Sequence, residues 1–155
     1  EDLMKEIMVA KSVVIDMPPE EVFGFVSNYN NDHIWRKDVV VMHFPEGKKP
    51  EAGDEVSGII KLMGRERKTA AFITEYEENK LIAFEVAKGP MHIRGYRLVS
   101  CINGSAKFTY SITIRFNGYM GFFSRLLIKN FSANIESNLT ELKKVLETRR
   151  QPKEA

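Results

Sequence analysis

The chain has 155 residues, 43% of them hydrophobic and 28% charged, which is enough length for a core and the composition of a globular protein rather than a disordered one. Its 23 basic and 21 acidic side chains are scattered and leave a net charge of +2, so there is no electrostatic case for nucleic acid. The one cysteine, Cys101, excludes an internal disulfide and fits a reducing compartment, and no apolar run nears the roughly 18–20 residues of a membrane span.

Met8 to Asp16 reads as a first strand, with Val9, Val13 and Ile15 on one face. Pro18 and Pro19 cannot continue it but suit the first turn of a helix, and Glu20 and Glu21 place negative charge at that helix's positive end. A helix of about three turns is predicted, with Val22, Phe25, Val26 and Tyr29 on one face. The stretch from Asn28 to Asp32 breaks it, and Asp32 is placed to cap a short second helix carrying Ile34 and Trp35.

From Val39 the hydrophobic period changes to two. Strands are predicted over Val39 to Phe44, Asp54 to Met63, Arg67 to Tyr76, Leu81 to Ala87, Met91 to Ser100 and Ala106 to Phe116, with turns at the Gly, Pro and Asn clusters between them. Asn103-Gly104 is a tight hairpin signal. In the last strand Phe108, Tyr110, Ile112, Ile114 and Phe116 point one way and Thr109, Ser111, Thr113 and Arg115 the other, so the sheet has one wet face. Phe123, Leu127, Phe131, Ile135, Leu139, Leu142 and Leu146 then mark one long amphipathic helix from Tyr119 to Arg150. Strands and helices are segregated, which is the α+β class, and the helix must lie across the sheet.

No catalytic constellation is recognisable. His33, His43 and His92 lie on separate segments without close ligand pairs, so no metal is expected, and no Gly-rich phosphate loop or nucleophile elbow occurs. What stands out is ten Phe, five Tyr, one Trp and seven Met. Part of this set builds the core; the rest suits the wall of an apolar cavity between sheet and helix, of roughly 300–1,000 Å3. By strand parity the wall comprises Val56, Ile60, Phe84, Tyr96, Leu98, Phe108, Tyr110 and Ile112. Phe123, Leu127, Phe131 and Ile135 face them from the long helix, and Val26, Tyr29 and Trp35 sit near the mouth. The strand from Arg67 to Tyr76 has two acceptable inner faces, Ala70 with Phe72 or Ala71 with Ile73. Carrying the parity of Tyr96 and Leu98 backwards turns Arg94 and His92 inward, unless a bulge at Gly95 turns them out. Asn134 and Asn138 lie one turn apart beside the apolar stripe.

The stretch Ile15-Asp16-Met17-Pro18-Pro19-Glu20-Glu21-Val22-Phe23 resembles the approach to the first helix in the START/Bet v 1-like superfamily. Within it the chain is similar to bacterial polyketide cyclase/dehydrase-type (SRPBCC) proteins through Asn31-Asp32 with Trp35-Arg36, Thr74-Glu75-Tyr76-Glu77, Ala83-Phe84 and Gly95-Tyr96-Arg97-Leu98. The resemblance implies a helix-grip fold, a curved seven-stranded antiparallel sheet wrapped around the C-terminal helix, with two short helices after the first strand. It extends from about residue 8 to 146 of a single domain spanning 1–155, with residues 150–155 expected to be a disordered tail. The first expectation is a cytoplasmic protein that binds a hydrophobic or aromatic small molecule as carrier, sensor or sequestering protein. It needs no cofactor and no nucleic acid, does not insert stably in membranes, and is a monomer or weak homodimer. The alternative is a polyketide cyclase/aromatase-like enzyme, with His92 as base and Arg94 and Tyr96 polarising a carbonyl; its catalytic residues are otherwise unknown. A third role, docking through Met120 to Phe123, competes with simple packing of that segment.

Overall fold

Strand β1 (Met4–Ile15) runs into Pro18, whose extended backbone ends it, and Pro19 opens helix α1 (Pro19–Val26) with Glu20 and Glu21 in the first turn. The computed structural model describes residues 4–62, 64–86, 92–117 and 121–150. Helix α1 has eight residues rather than three turns, and its buried face is Val22, Phe23 and Val26. Tyr29 belongs instead to a separate 3-10 turn (Tyr29–Asn31) that the Asn28 side chain initiates by accepting from the Asn30 N–H. Asn30 docks this turn on the sheet: its amide donates to the Phe44 carbonyl at 2.8 Å and accepts from the Phe44 N–H at 2.9 Å. Helix α2 is a single turn (Asp32–Trp35), and Asp32 makes no capping bond, for its carboxylate is engaged elsewhere.

Six strands follow: β2 (Val39–His43), β3 (Glu55–Leu62), β4 (Arg65–Glu77), β5 (Leu81–Val86), β6 (His92–Ile102) and β7 (Ser105–Asn117). With β1 they form one antiparallel seven-stranded sheet in the order β1-β7-β6-β5-β4-β3-β2. The β6–β7 hairpin turns at Asn103 and Gly104, both with positive φ (49° and 82°), the conformation that a two-residue turn between twisted strands requires. Gly104→Ala is therefore expected to cost about 1–2 kcal/mol, read as a lower urea midpoint at unchanged slope.

Helix α3 (Gly121–Arg150) crosses the concave face of the sheet. Ile135, Leu139, Leu142 and Leu146 are buried in one core with Val9, Ile15, Phe108, Ile112 and the inner face of α1. A second cluster, Tyr29, Val39, Met42, Phe44, Val56, Ile73 and Ile82, lies under the 3-10 turn. The C-terminal half of α3 is also tied to the end of β1. Lys143 Nζ donates to the Val14 carbonyl at 2.6 Å, Glu147 accepts from the Asp16 N–H at 3.0 Å, and Arg150 pairs with Asp16. This is the helix-grip fold: a curved sheet, a long terminal helix gripped by it, and two short helices after the first strand. Among the described residues no helix is long and apolar enough to cross a membrane.

Strand faces follow the expected parity except in β6. Val56 and Ile60 in β3, Phe84 in β5 and Phe108, Tyr110 and Ile112 in β7 all face inward, and β4 resolves to Ala71 and Ile73 inside, with Phe72 38% exposed. In β6 the inner set is Ile93, Gly95, Arg97 and Val99, paired across the hairpin with Ile114, Ile112, Tyr110 and Phe108. His92, Arg94, Tyr96 and Leu98 therefore stand on the convex face, a correction to the expected cavity wall. There is no bulge at Gly95, where the β6 register is continuous on both sides. The cause is that two inner positions are not apolar. Gly95 lies under the Phe84 ring, where an added Cβ would meet the ring at 2.8 Å and the Ser111 carbonyl oxygen at 2.4 Å. Arg97 is completely buried because it is paired.

Candidate functional site

The interior holds a charged centre that the residues of α2 build. Arg97 reaches from β6 to Asp32, with Nη1 to Oδ1 at 2.8 Å and Nη2 to Oδ2 at 2.6 Å, and Nη1 also donates to the Val26 carbonyl at 2.9 Å. This is the two-pronged geometry that suits guanidinium and carboxylate. Both side chains are fully buried. Aromatic faces surround the guanidinium: its Cζ lies 4.3 Å from the Tyr29 ring centroid, 5.1 Å from Trp35 and 5.3 Å from Tyr110. Arg36 closes the network, donating to Asp32 at 3.0 Å and to Asp38 at 3.3 Å. Two positive and two negative charges thus balance. Burial works against the charge on Arg97, but the adjoining Asp32 carboxylate, its hydrogen bonds, and Tyr29 and Tyr110 together hold the pKa above the ordinary guanidinium value. Burial also pushes the Tyr29 hydroxyl pKa well up, and that hydroxyl has no hydrogen-bond partner among the described residues.

Next to this centre a cavity of about 50 Å3 lies between α2, β7 and α3. Trp35, Tyr110, Ile112, Phe131 and Ile135 form its apolar side. Its polar side is Arg36, Asp38, Asn134 and Asn138, with Asn138 also accepting from the Lys37 N–H at 3.3 Å. Beside it, an open cleft of about 530 Å3 between α2 and α3 shares Trp35, Arg36 and Asn138 with the cavity.

Of the residues expected to line a cavity, the structure brings together Trp35, Tyr110, Ile112, Phe131 and Ile135. Val26, Val56 and Phe108 are fully buried core, Tyr29 packs on Arg97, and Phe84 covers Gly95; Ile60 is half-buried beside the second cluster. The side chains of Phe123 and Leu127 are not among those described, nor are the side chains of the docking segment from Met120 to Phe123, and the tail from 151 lies outside the described residues. On the convex face His92 bonds Glu85 through Nε2, and Arg94 pairs with Glu6 at 2.9 Å. The cavity is far smaller than the roughly 300–1,000 Å3 of a typical ligand site.

The residues that sequence reasoning missed are Asp32, Arg36, Asp38 and Arg97. One signal could have found the last. A two-residue turn at Asn103-Gly104 pairs Ile102 with Ser105, which sets Arg97 opposite Tyr110 and on its face.

A search of curated proteins finds none that matches this sequence. Solved structures match in fold. The Zhui aromatase/cyclase from Streptomyces superposes with a TM-score of 0.77 at 10% identity, over 95% of this chain and 97% of that one. The protein TTHA0849 from Thermus thermophilus gives 0.74 at 16% identity, over 95% and 100%. A START superfamily protein from Mycobacterium smegmatis gives 0.63 at 15%, over 92% and 95%. A sequence profile described as polyketide cyclase/dehydrase and lipid transport matches residues 6–147, nearly the whole described fold. The protein thus belongs to the polyketide cyclase/dehydrase and lipid transport family.

Proposed function

We propose that the protein binds a hydrophobic or aromatic small molecule between the sheet and α3, as a carrier, sensor or sequestering protein. The observation that carries this reading is the cavity itself: an apolar wall of Trp35, Tyr110, Ile112, Phe131 and Ile135 faces a few polar groups. That division, mostly apolar with sparse orienting polar atoms, is the pattern of small-molecule sites. A cavity that binds benzene measures about 150 Å3, so the present 50 Å3 must widen for a ligand to fit. The middle of α3 is the wall best able to yield. Phe131 and Asn134 there are only half-buried, whereas the C-terminal half is bonded to the end of β1. In the cyclase alternative the base would not be His92, which stands on the convex face beside Glu85.

A ligand that binds only the folded form raises stability by mass action. At a hundredfold excess over Kd this is about 2.7 kcal/mol, or roughly 5–10 °C in Tm for a domain of this size. The expected result is a Tm that climbs with the concentration of an apolar aromatic compound. Native mass spectrometry of protein from its source is expected to show a co-purified small molecule. A Tm unmoved by aromatic compounds up to their solubility, with no bound mass, would remove the reading.

A further inference from the structure

Charge that is scattered along most of the chain is concentrated at one place, the turn end of the β3–β4 hairpin. There Lys61, Arg65, Arg67 and Lys68 stand against the single acid Glu66, a net +3 in a chain whose total is +2. The rest of the chain therefore sums to −1. All four cations are exposed, and none takes part in an ion pair among the described residues. The register sends them both ways: Arg65 and Arg67 share the concave face with Leu62 and Ile60, and Lys61 and Lys68 share the convex face with Ile59. Among the described residues the tip also runs past its neighbours. Leu62 and Arg65 pair only with each other, beyond the last pairs of β3 with β2 (Ile60 with Val39) and of β4 with β5 (Phe72 with Glu85).

Cations on two faces of a projecting tip converge on no single anionic group. They suit a partner that responds to summed charge over a surface. Apolar residues beside them narrow that partner further. Leu62 is 39% exposed at the tip, and Val40 and Val41, on the adjoining edge strand β2, are 38% and 45% exposed. A nucleic acid would neutralise the cations and leave these three side chains in water. A second copy adding to β2 would meet a five-residue strand whose register shifts between Val39 and Val41, a poor edge for extending a sheet. An anionic bilayer takes up both kinds of group, the cations among its headgroups and the apolar side chains at the boundary beneath them.

We infer that the β3–β4 tip docks on an anionic lipid surface, with the exposed valines of β2 as its apolar flank. The net −1 of the remaining chain leaves this tip as the end that such a surface attracts. The tip is also joined to the cavity wall: the Lys61 N–H donates to the Asp38 carbonyl at 2.7 Å, and Asp38 lines the 50 Å3 space. Docking thus holds that wall near a store of hydrophobic molecules, although the inference stands without the binding reading.

Sedimentation of the intact protein with lipid vesicles tests it. The expected result is binding to vesicles of equal parts phosphatidylcholine and phosphatidylglycerol, and none to phosphatidylcholine alone. Raising the salt from about 0.1 to about 1 M, which shortens the screening length from about 10 to about 3 Å, is expected to release the protein. A cation near such a surface is worth about fivefold in affinity, so Arg65→Gln with Arg67→Gln is expected to weaken binding about 25-fold. Lys107→Gln beside the β6–β7 turn with Lys144→Gln on α3 removes as much charge from exposed positions elsewhere, and is expected to stay within about twofold. Leu62→Ser is expected to lose about threefold and to keep the full salt dependence. Urea midpoints of the variants check that each is folded. No binding to the anionic vesicles, or equal weakening by the two charge pairs, overturns the inference. Retention on heparin without vesicle binding also overturns it, and gives the charge to a soluble polyanion instead. None of these outcomes bears on the cavity, whose ligand binding is read separately through Tm.

Discussion

Replacing Asp32 by alanine is expected to lower the free energy of unfolding by about 3–5 kcal/mol, because it strands a buried guanidinium. Arg97 is 0% exposed, and its remaining hydrogen-bond acceptor is the Val26 carbonyl. Rehydrating it would require opening the sheet beneath Tyr29, Trp35 and Tyr110, all within 5.3 Å of its Cζ. The paired replacement Asp32→Leu with Arg97→Met is expected to behave in the opposite sense, near neutral or stabilising, since two desolvated charges then give way to apolar contact. Arg36 retains Asp38 in that variant. Urea unfolding of Asp32→Leu, Arg97→Met and the double variant gives the coupling directly. A cost below about 1 kcal/mol for Asp32→Ala would show that the guanidinium reaches water and is not locked in the core.

The second large effect concerns the docking of α3. Leu142 is 0% exposed in the main core, whereas Leu126, on the same helix, is 59% exposed. Leu142→Ala is expected to cost about 2–5 kcal/mol, the transfer of the lost methyl groups plus the hole they leave. Leu126→Ala is expected to stay within about 0.5 kcal/mol of the parent. Because both substitutions trade leucine for the same good helix former, propensity cancels and the difference reads burial alone. Equal losses for the two would mean that α3 is held by its own helicity rather than by the sheet.

The architecture was legible because its elements carry strong periods. The alternation from Phe108 to Phe116 and the three-and-four spacing from Ile135 to Leu146 coincide with the buried faces of β7 and α3. Asn103-Gly104 marked its turn. Alternation failed where an inner position is filled by something other than an apolar side chain. In β6, Tyr96 and Leu98 looked like the core face because Gly95 and Arg97, the true inner residues, are small and charged. An arginine reads as solvent-facing until its partner is known, and that partner, Asp32, lies 65 residues away. Asp32 itself looked like a helix cap for the same reason: local sequence offers a local role, and only the fold shows the distant one. The cavity was partly legible. Trp35, Tyr110, Ile112, Phe131 and Ile135, all named from the sequence, lie together around it, but its size depends on how closely side chains interdigitate, which no periodicity encodes.

The pairing of β1 with β7 has a consequence for how the chain matures. Strands β2 to β7 can join as successive neighbours while they are synthesised, but Val9 meets its partner Ile112 only after about 100 further residues have been made. At about 5–20 residues per second this leaves β1 waiting for roughly 5–20 s. Met8 and Val14 on one side, with Val9, Val13 and Ile15 on the other, make the waiting segment apolar on both faces. Strand β1 is thus the part of this fold most in need of shelter on the ribosome, and the seam it finally closes joins the first strand of the sheet to the last.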